Sequence, residues 1–176
     1  MSEVGAQRRT LVQELRAIEL DHQRVRAGLV ALGPGERLPG LYLVTGVSGG
    51  RVLLPANRVA ELARRVALDR VPGAAPWVLG SFVWRGRPAL AVDLGVRLGG
   101  APTPALDAMM VILDGAPTVA LVVDEVHGLA EEPLLADGAT GEGEAARLLV
   151  GACRVGEESV PLLAPELLER DWVEAS

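Results

Sequence analysis

From Leu11 the apolar positions fall at Leu11, Leu15, Ile18, His22, Val25, Leu29 and Leu32, in alternating steps of four and three with one polar intruder, His22. That stepping predicts an amphipathic α-helix carrying a heptad seam of about three repeats. Glu14, Arg16, Glu19, Arg24 and Arg26 fill its solvated face. Thr10 with Gln13 has the form of a capping box, and Gly33-Pro34-Gly35 stops the helix. Such a narrow stripe must be covered, either by the chain's own domain or by another helix; we expect a partner. After Gly40 the period changes. Leu41–Thr45 and Arg51–Leu54 are β-type runs flanking Val47-Ser48-Gly49-Gly50, which predicts a hairpin. Over 57–68, Val59, Leu62 and Val66 have helical spacing and predict at least one helical turn. Phe82–Trp84 and Ala89–Val92 predict a second hairpin with Arg85-Gly86-Arg87-Pro88 at its tip. Met109–Leu113 and Thr118–Val123 flank Asp114-Gly115, and their unbroken apolarity predicts strands covered on both faces. The Gly-rich, acidic stretch 136–144 reads as a mobile loop, followed by a last hairpin over 148–163 and a short C-terminal helix, Pro165–Trp172. Many short strands with Gly and Pro turns mean a barrel or a sandwich.

The 176 residues suit one domain with an appended element, divided as a helix and linker over 1–37 and a β domain over 38–176. With 49% hydrophobic residues a core is assured. All 17 basic residues are Arg, which excludes Walker-type phosphate binding and Schiff-base chemistry. Cys153, His22 and His127 are too few and too scattered for a disulfide framework or a zinc site, so no metal and no cofactor is expected. The N-terminus lacks a signal-peptide pattern and no apolar run is long enough to span a bilayer; a cytoplasmic setting is expected. The net charge of −6 argues against nucleic acid as a partner. Residues 51–97 carry 8 Arg against 3 acids, whereas residues 98–146 carry 9 acids and no Arg. If folding keeps these segments on different faces, copies can join head to tail; if it mixes them, no such surface survives.

Gly46-Val47-Ser48-Gly49-Gly50 is a literal G-x-S-x-G, and several acids precede His127. A nucleophile elbow needs a strand feeding sharply into a helix, whereas Arg51–Leu54 reads as a returning strand. A small serine hydrolase using Ser48 is therefore the disfavoured alternative, and no catalytic residue is expected.

Four ordered segments carry a family resemblance. They are the opening strands with Val59-Ala60-Glu61-Leu62; Gly80-Ser81-Phe82-Val83-Trp84-Arg85-Gly86 with Ala91-Val92-Asp93-Leu94; Val111–Leu113 with Val122-Val123-Asp124-Glu125-Val126; and Gly151 with Val160–Leu163. Over about residues 40–172 the chain resembles the CheW-like adaptors of bacterial chemotaxis. Two departures are Val83-Trp84 where the family has Asn-Leu, and Leu90 where it has Pro; the N-terminal heptad helix is extra. The resemblance implies a mainly β fold of two five-stranded SH3-like β-barrel subdomains sharing a core. It implies a non-catalytic scaffold coupling methyl-accepting chemoreceptors to a CheA-type histidine kinase in a chemosensory array; self-association is expected separately, from the opposite charge of residues 51–97 and 98–146. Carried over by position, it places the protein interface at Val59, Glu61, Gly80, Trp84, Arg85 and Gly86. Independently, a guanidinium at a hairpin tip beside a large aromatic has the composition of an interface hot spot.

Overall fold

The computed structural model describes residues 20, 23–29, 31–104, 107–137 and 147–165. Eleven strands in these residues form two sheets. The first has the order β8-β1-β2-β11-β10-β9, built from β1 (Leu41–Val47), β2 (Gly50–Pro55), β8 (Glu125–Glu131), β9 (Leu134–Leu135), β10 (Leu149–Val155) and β11 (Glu158–Leu163). The second has the order β3-β6-β7-β5-β4, built from β3 (Val59–Arg64), β4 (Val78–Trp84), β5 (Arg87–Asp93), β6 (Met109–Leu113) and β7 (Thr118–Val123). The protein is thus mainly β, with two mixed sheets. The first sheet holds six strands rather than five because the two-residue β9 adds itself to β10 through Cys153↔Leu135.

Turn chemistry explains the hairpins. Ser48 and Gly49 link β1 to β2, and both have positive φ, 51° and 77°; Arg85 and Gly86 link β4 to β5 with 48° and 77°. Two central residues with positive φ make the type I′ turn, whose twist matches that of the flanking strands. A third hairpin, β10–β11, turns at Gly156, φ 63°.

Every residue of β7 is buried, as its unbroken apolarity predicts. Val119, Leu121 and Val123 enter the large core shared with Leu43, Leu53, Leu54 and Leu163 of the first sheet. Ala120 and Val122 point the other way, into a smaller cluster with Ala91, Met110 and Ile112. The period of two therefore sends alternate side chains of one strand into two different cores. Each fully buried Val or Leu there contributes roughly 1.5–3 kcal/mol.

The edges of the second sheet, β3 and β4, return to each other beyond the ladder. Asp69, five residues past β3, exchanges both backbone hydrogen bonds with Ser81 of β4, each 2.8 Å. The helical expectation over 57–68 is corrected here. Ala56–Arg58 form a single 3₁₀ turn, and Val59–Arg64 form β3, paired antiparallel with β6. The spacing of Val59, Leu62 and Val66 marks no buried stripe, since Leu62 and Val66 are exposed; the free backbone of β6 decided the conformation.

Of the heptad helix, Leu20, residues 23–29 and residues 31–32 are described and are helical. Seam positions Leu11, Leu15, Ile18 and His22 lie outside the described residues, as do the stretch 138–146 and the expected C-terminal helix beyond Pro165. Among the described residues no helix is long and apolar enough to cross a membrane.

Candidate protein interface

The β4–β5 hairpin ends in Trp84-Arg85-Gly86-Arg87, with Trp84 paired to Arg87 across the turn. A residue with a Cβ at φ 48° costs about 1–2 kcal/mol, so Arg85 occupies its place against backbone preference. Its guanidinium stacks on the Trp84 ring, 4.6 Å from the centroid. Arg85 Nη2 donates to Glu61 Oε2 at 3.0 Å, and Trp84 Nε1 donates to the same oxygen at 3.0 Å. Glu61 is brought there by β3, where the pairing with β6 shifts register between Val59 and Glu61. A bulge of this kind re-aims a side chain. Trp84 is half-buried, its ring packed on the cluster around Met110 and Ile112.

The cluster is open to a partner. The Arg85 side chain remains 65% exposed and that of Glu61 40%. An ion pair that open is worth about 0–1 kcal/mol, and the cation–π contact adds about 0.5–1 kcal/mol. The constellation therefore fixes where the guanidinium stands more than it stabilises the fold. Val83, which precedes Trp84 in β4, and Leu62, which follows Glu61 in β3, are also exposed. Alternation along β3 and β4 turns Leu62 and Val83 to the face opposite Glu61 and Trp84, so they stand outside the cluster.

Of the residues expected at the interface, Glu61, Trp84 and Arg85 come together, and Gly86 is exposed at the same tip. Val59, two residues before Glu61, is partly buried against the shared core. Gly80 is buried where Leu68 and Asp69 cross β4, and supports the hairpin from behind.

The other candidates have structural duties. Ser48 sits in a β-turn and its hydroxyl donates to the Ala101 carbonyl at 2.8 Å, docking the hairpin tip on the loop after the short helix Leu94–Arg97. No strand-to-helix elbow surrounds it. His127 Nε2 lies 3.5 Å from Glu125 Oε1 at the wall of a groove of about 670 Å³ that Arg51 and Glu158, paired at 3.1 Å, also line; Ser48 is not among its lining residues. Asp93, buried at the end of β5, caps the helix through Val96 N and accepts from Thr103 N and Thr103 Oγ1. Burial pushes the Cys153 thiol up to about 11. Among the described residues no group of three His, Cys, Asp or Glu side chains is placed to hold a metal ion.

Two β-sheets around a common core, with a polar cluster clamped at an exposed hairpin tip, make this a small β-built module. The chain belongs to the CheW-like domain family, whose model matches residues 41–171. Its fold is similar to that of the scaffolding protein TtCheW from Thermoanaerobacter tengcongensis, with a TM-score of 0.60 at 17% identity, covering 72% of this chain and 85% of that one. No curated protein shows significant sequence similarity to it.

Proposed function

We propose that the protein is a non-catalytic scaffold of a bacterial chemosensory array, working in the cytoplasm at receptor clusters and coupling methyl-accepting chemoreceptor tips to a CheA-type histidine kinase. Membership of the CheW-like family supports this reading. The observation that carries it is the Glu61–Trp84–Arg85 cluster: a guanidinium held on an indole by a carboxylate, yet mostly exposed. Arginine on an aromatic platform is the composition from which binding hot spots are built. Arg85 spends one amino group on Glu61 and offers the rest of its fork to a partner carboxylate. A scaffold passes a signal only by binding the states of its partners with different affinity, so this surface works by moderate, reversible contact.

The test is co-precipitation of receptor signalling domain and kinase by the unmodified protein and by Arg85→Glu. Loss of one or both partners, with the melting temperature of the variant unchanged, is the expected result. Undiminished recovery of both removes Arg85 from the interface.

A further inference from the structure

The edges of the two sheets are finished differently. In the second sheet they are joined by the bridge between Asp69 and Ser81. In the first, β9 is only two residues long and a strap of residues 35–38 lies along it: Gly35 N donates to Leu135 O, Leu135 N to Glu36 O, and Leu38 N to Pro133 O, at 2.8, 2.8 and 2.9 Å. The opposite edge, β8, is seven residues long, and among the described residues it pairs with β1 alone. Which of its backbone groups point outward follows from the first hairpin. The two-residue turn Ser48-Gly49 makes Val47 and Gly50 exchange hydrogen bonds, so alternation turns the backbone of Tyr42 and Val44 away from β2 and toward β8. Gly40 continues that series by accepting from Glu132 N at 2.9 Å. Tyr42 and Val44 stand opposite Ala130 and Gly128. The N–H and C=O groups of Leu129 and Glu131 therefore face the outer edge, where no described residue meets them.

Leu41 stands opposite Glu131 and Leu43 opposite Leu129, so Leu41 and Leu129 are diagonal neighbours on one face. They are 48% and 60% exposed. Glu131, on the same face, is exposed, and its carboxylate has no ion pair or hydrogen bond among the described residues. We propose that this edge of β8 is a docking site for an extended segment of another protein, which adds to the first sheet as a strand. The added strand sets an apolar residue opposite Leu129 and, two positions away, an Arg or Lys opposite Glu131. Backbone pairing gives such an addition its affinity, and alternate side chains give it selectivity. Charge chooses the occupant. Pairing two copies of β8 would bring Glu125, Glu131 and Glu132 of both chains into one ladder, with His127 the only basic residue of the strand. Like charges facing each other across a ladder destabilise it. The acids thus guard the edge against self-pairing and attract a basic strand. The site belongs to the first sheet and uses no residue of the Glu61–Trp84–Arg85 cluster, so it goes beyond the function proposed above and does not rest on it.

The experiment titrates the full chain with two synthetic peptides, acetyl-Thr-Arg-Thr-Val-Thr-Arg-Thr-amide and the same sequence with Glu for Arg, and follows backbone NMR signals and amide hydrogen exchange. In the free protein the amides of Ala130 and Glu132 should be protected, while those of Leu129 and Glu131 exchange freely. The Arg peptide should shift the signals of β8 and slow exchange at Leu129 and Glu131 by about tenfold at saturation. The Glu peptide should do neither. Glu131→Arg, at an exposed position, should keep the melting curve, weaken the Arg peptide by about tenfold and let the Glu peptide bind in its place. Leu129→Ser leaves every charge in place and should also weaken the Arg peptide; it serves as the test if Glu131→Arg does not fold. Arg85→Glu should bind the Arg peptide as the parent does, whatever becomes of its capture of receptor or kinase. Protection of Leu129 and Glu131 in the free protein, the result if a second copy or a stretch of this chain already covers the edge, overturns the proposal. So do equal binding of both peptides, binding of neither, and shifts that fall away from β8.

Discussion

Gly80 and Asp69 approach so closely that a Cβ on Gly80 would stand 2.6 Å from the Asp69 carbonyl oxygen. Gly80 also has φ 152°, a backbone state side chains rarely adopt. This contact is where the chain beyond β3 crosses β4, which is what lets Glu61 of one edge strand reach Trp84 of the other.

Gly80→Ala should therefore destabilise the domain by about 3–5 kcal/mol, through the overpacked crossing and the strained φ together. That lowers the melting temperature by about 10 °C. Partner capture should fall with it. A Gly80→Ala protein that melts like the parent and still loses a partner would make Gly80 a contact residue instead.

Arg85→Gly separates recognition from stability. Glycine relieves about 1–2 kcal/mol of backbone strain in the turn, while the lost ion pair and cation–π contact cost up to about 2 kcal/mol. Unfolding free energies from denaturant titration should stay within about 1 kcal/mol of the parent while partner capture drops as far as in Arg85→Glu. A drop in stability of several kcal/mol would show that the cluster holds the fold.

Asp93 is the buried polar residue on which most depends. Asp93→Ala strips acceptors from Val96 N, Thr103 N and Thr103 Oγ1 at once. Leaving those donors unmet should cost about 3–5 kcal/mol in chemical denaturation. Thr103→Val, which removes one donor, should cost only about 1 kcal/mol.

Stability should also fall at alkaline pH. Burial raises the Cys153 thiol from 9.0 to about 11, and burial, reinforced by Cys153, raises the Tyr42 hydroxyl as well. Both groups hold their protons more tightly when folded, so the unfolded chain releases protons first. The Cys153 contribution is complete below pH 9 and is lost as pH rises through about 11. Urea midpoints measured from pH 8 to 11 should decline, and Cys153→Ala should decline less steeply.

The strands were legible wherever local chemistry and tertiary need agreed. Ser48-Gly49 and Asp114-Gly115 announced their turns, and the apolar run of β7 announced burial on both faces. The failure at β3 came from a window too short to tell period 3.6 from period 2, when the deciding partner, β6, lies some fifty residues away. At the candidate site, Arg85 stood out by its place at a hairpin tip and by resemblance. Its tie to Glu61 and Trp84 did not, because it arises from sheet edges meeting in space, which no spacing along the chain encodes. Gly80 was legible as a member of a motif, but not as the place where two backbones pass too near for a methyl group.

The strap over residues 35–38 also has a mechanical meaning. Its bonds to residues 133–135 lie in series between the N-terminus and the body of the protein. Tension applied through the helix reaches the contact of Leu29 with Gly151 and then these few bonds, before the rest of the first sheet bears load. A tether of that kind yields early at small force, leaving the hairpin tip that carries Arg85 undisturbed.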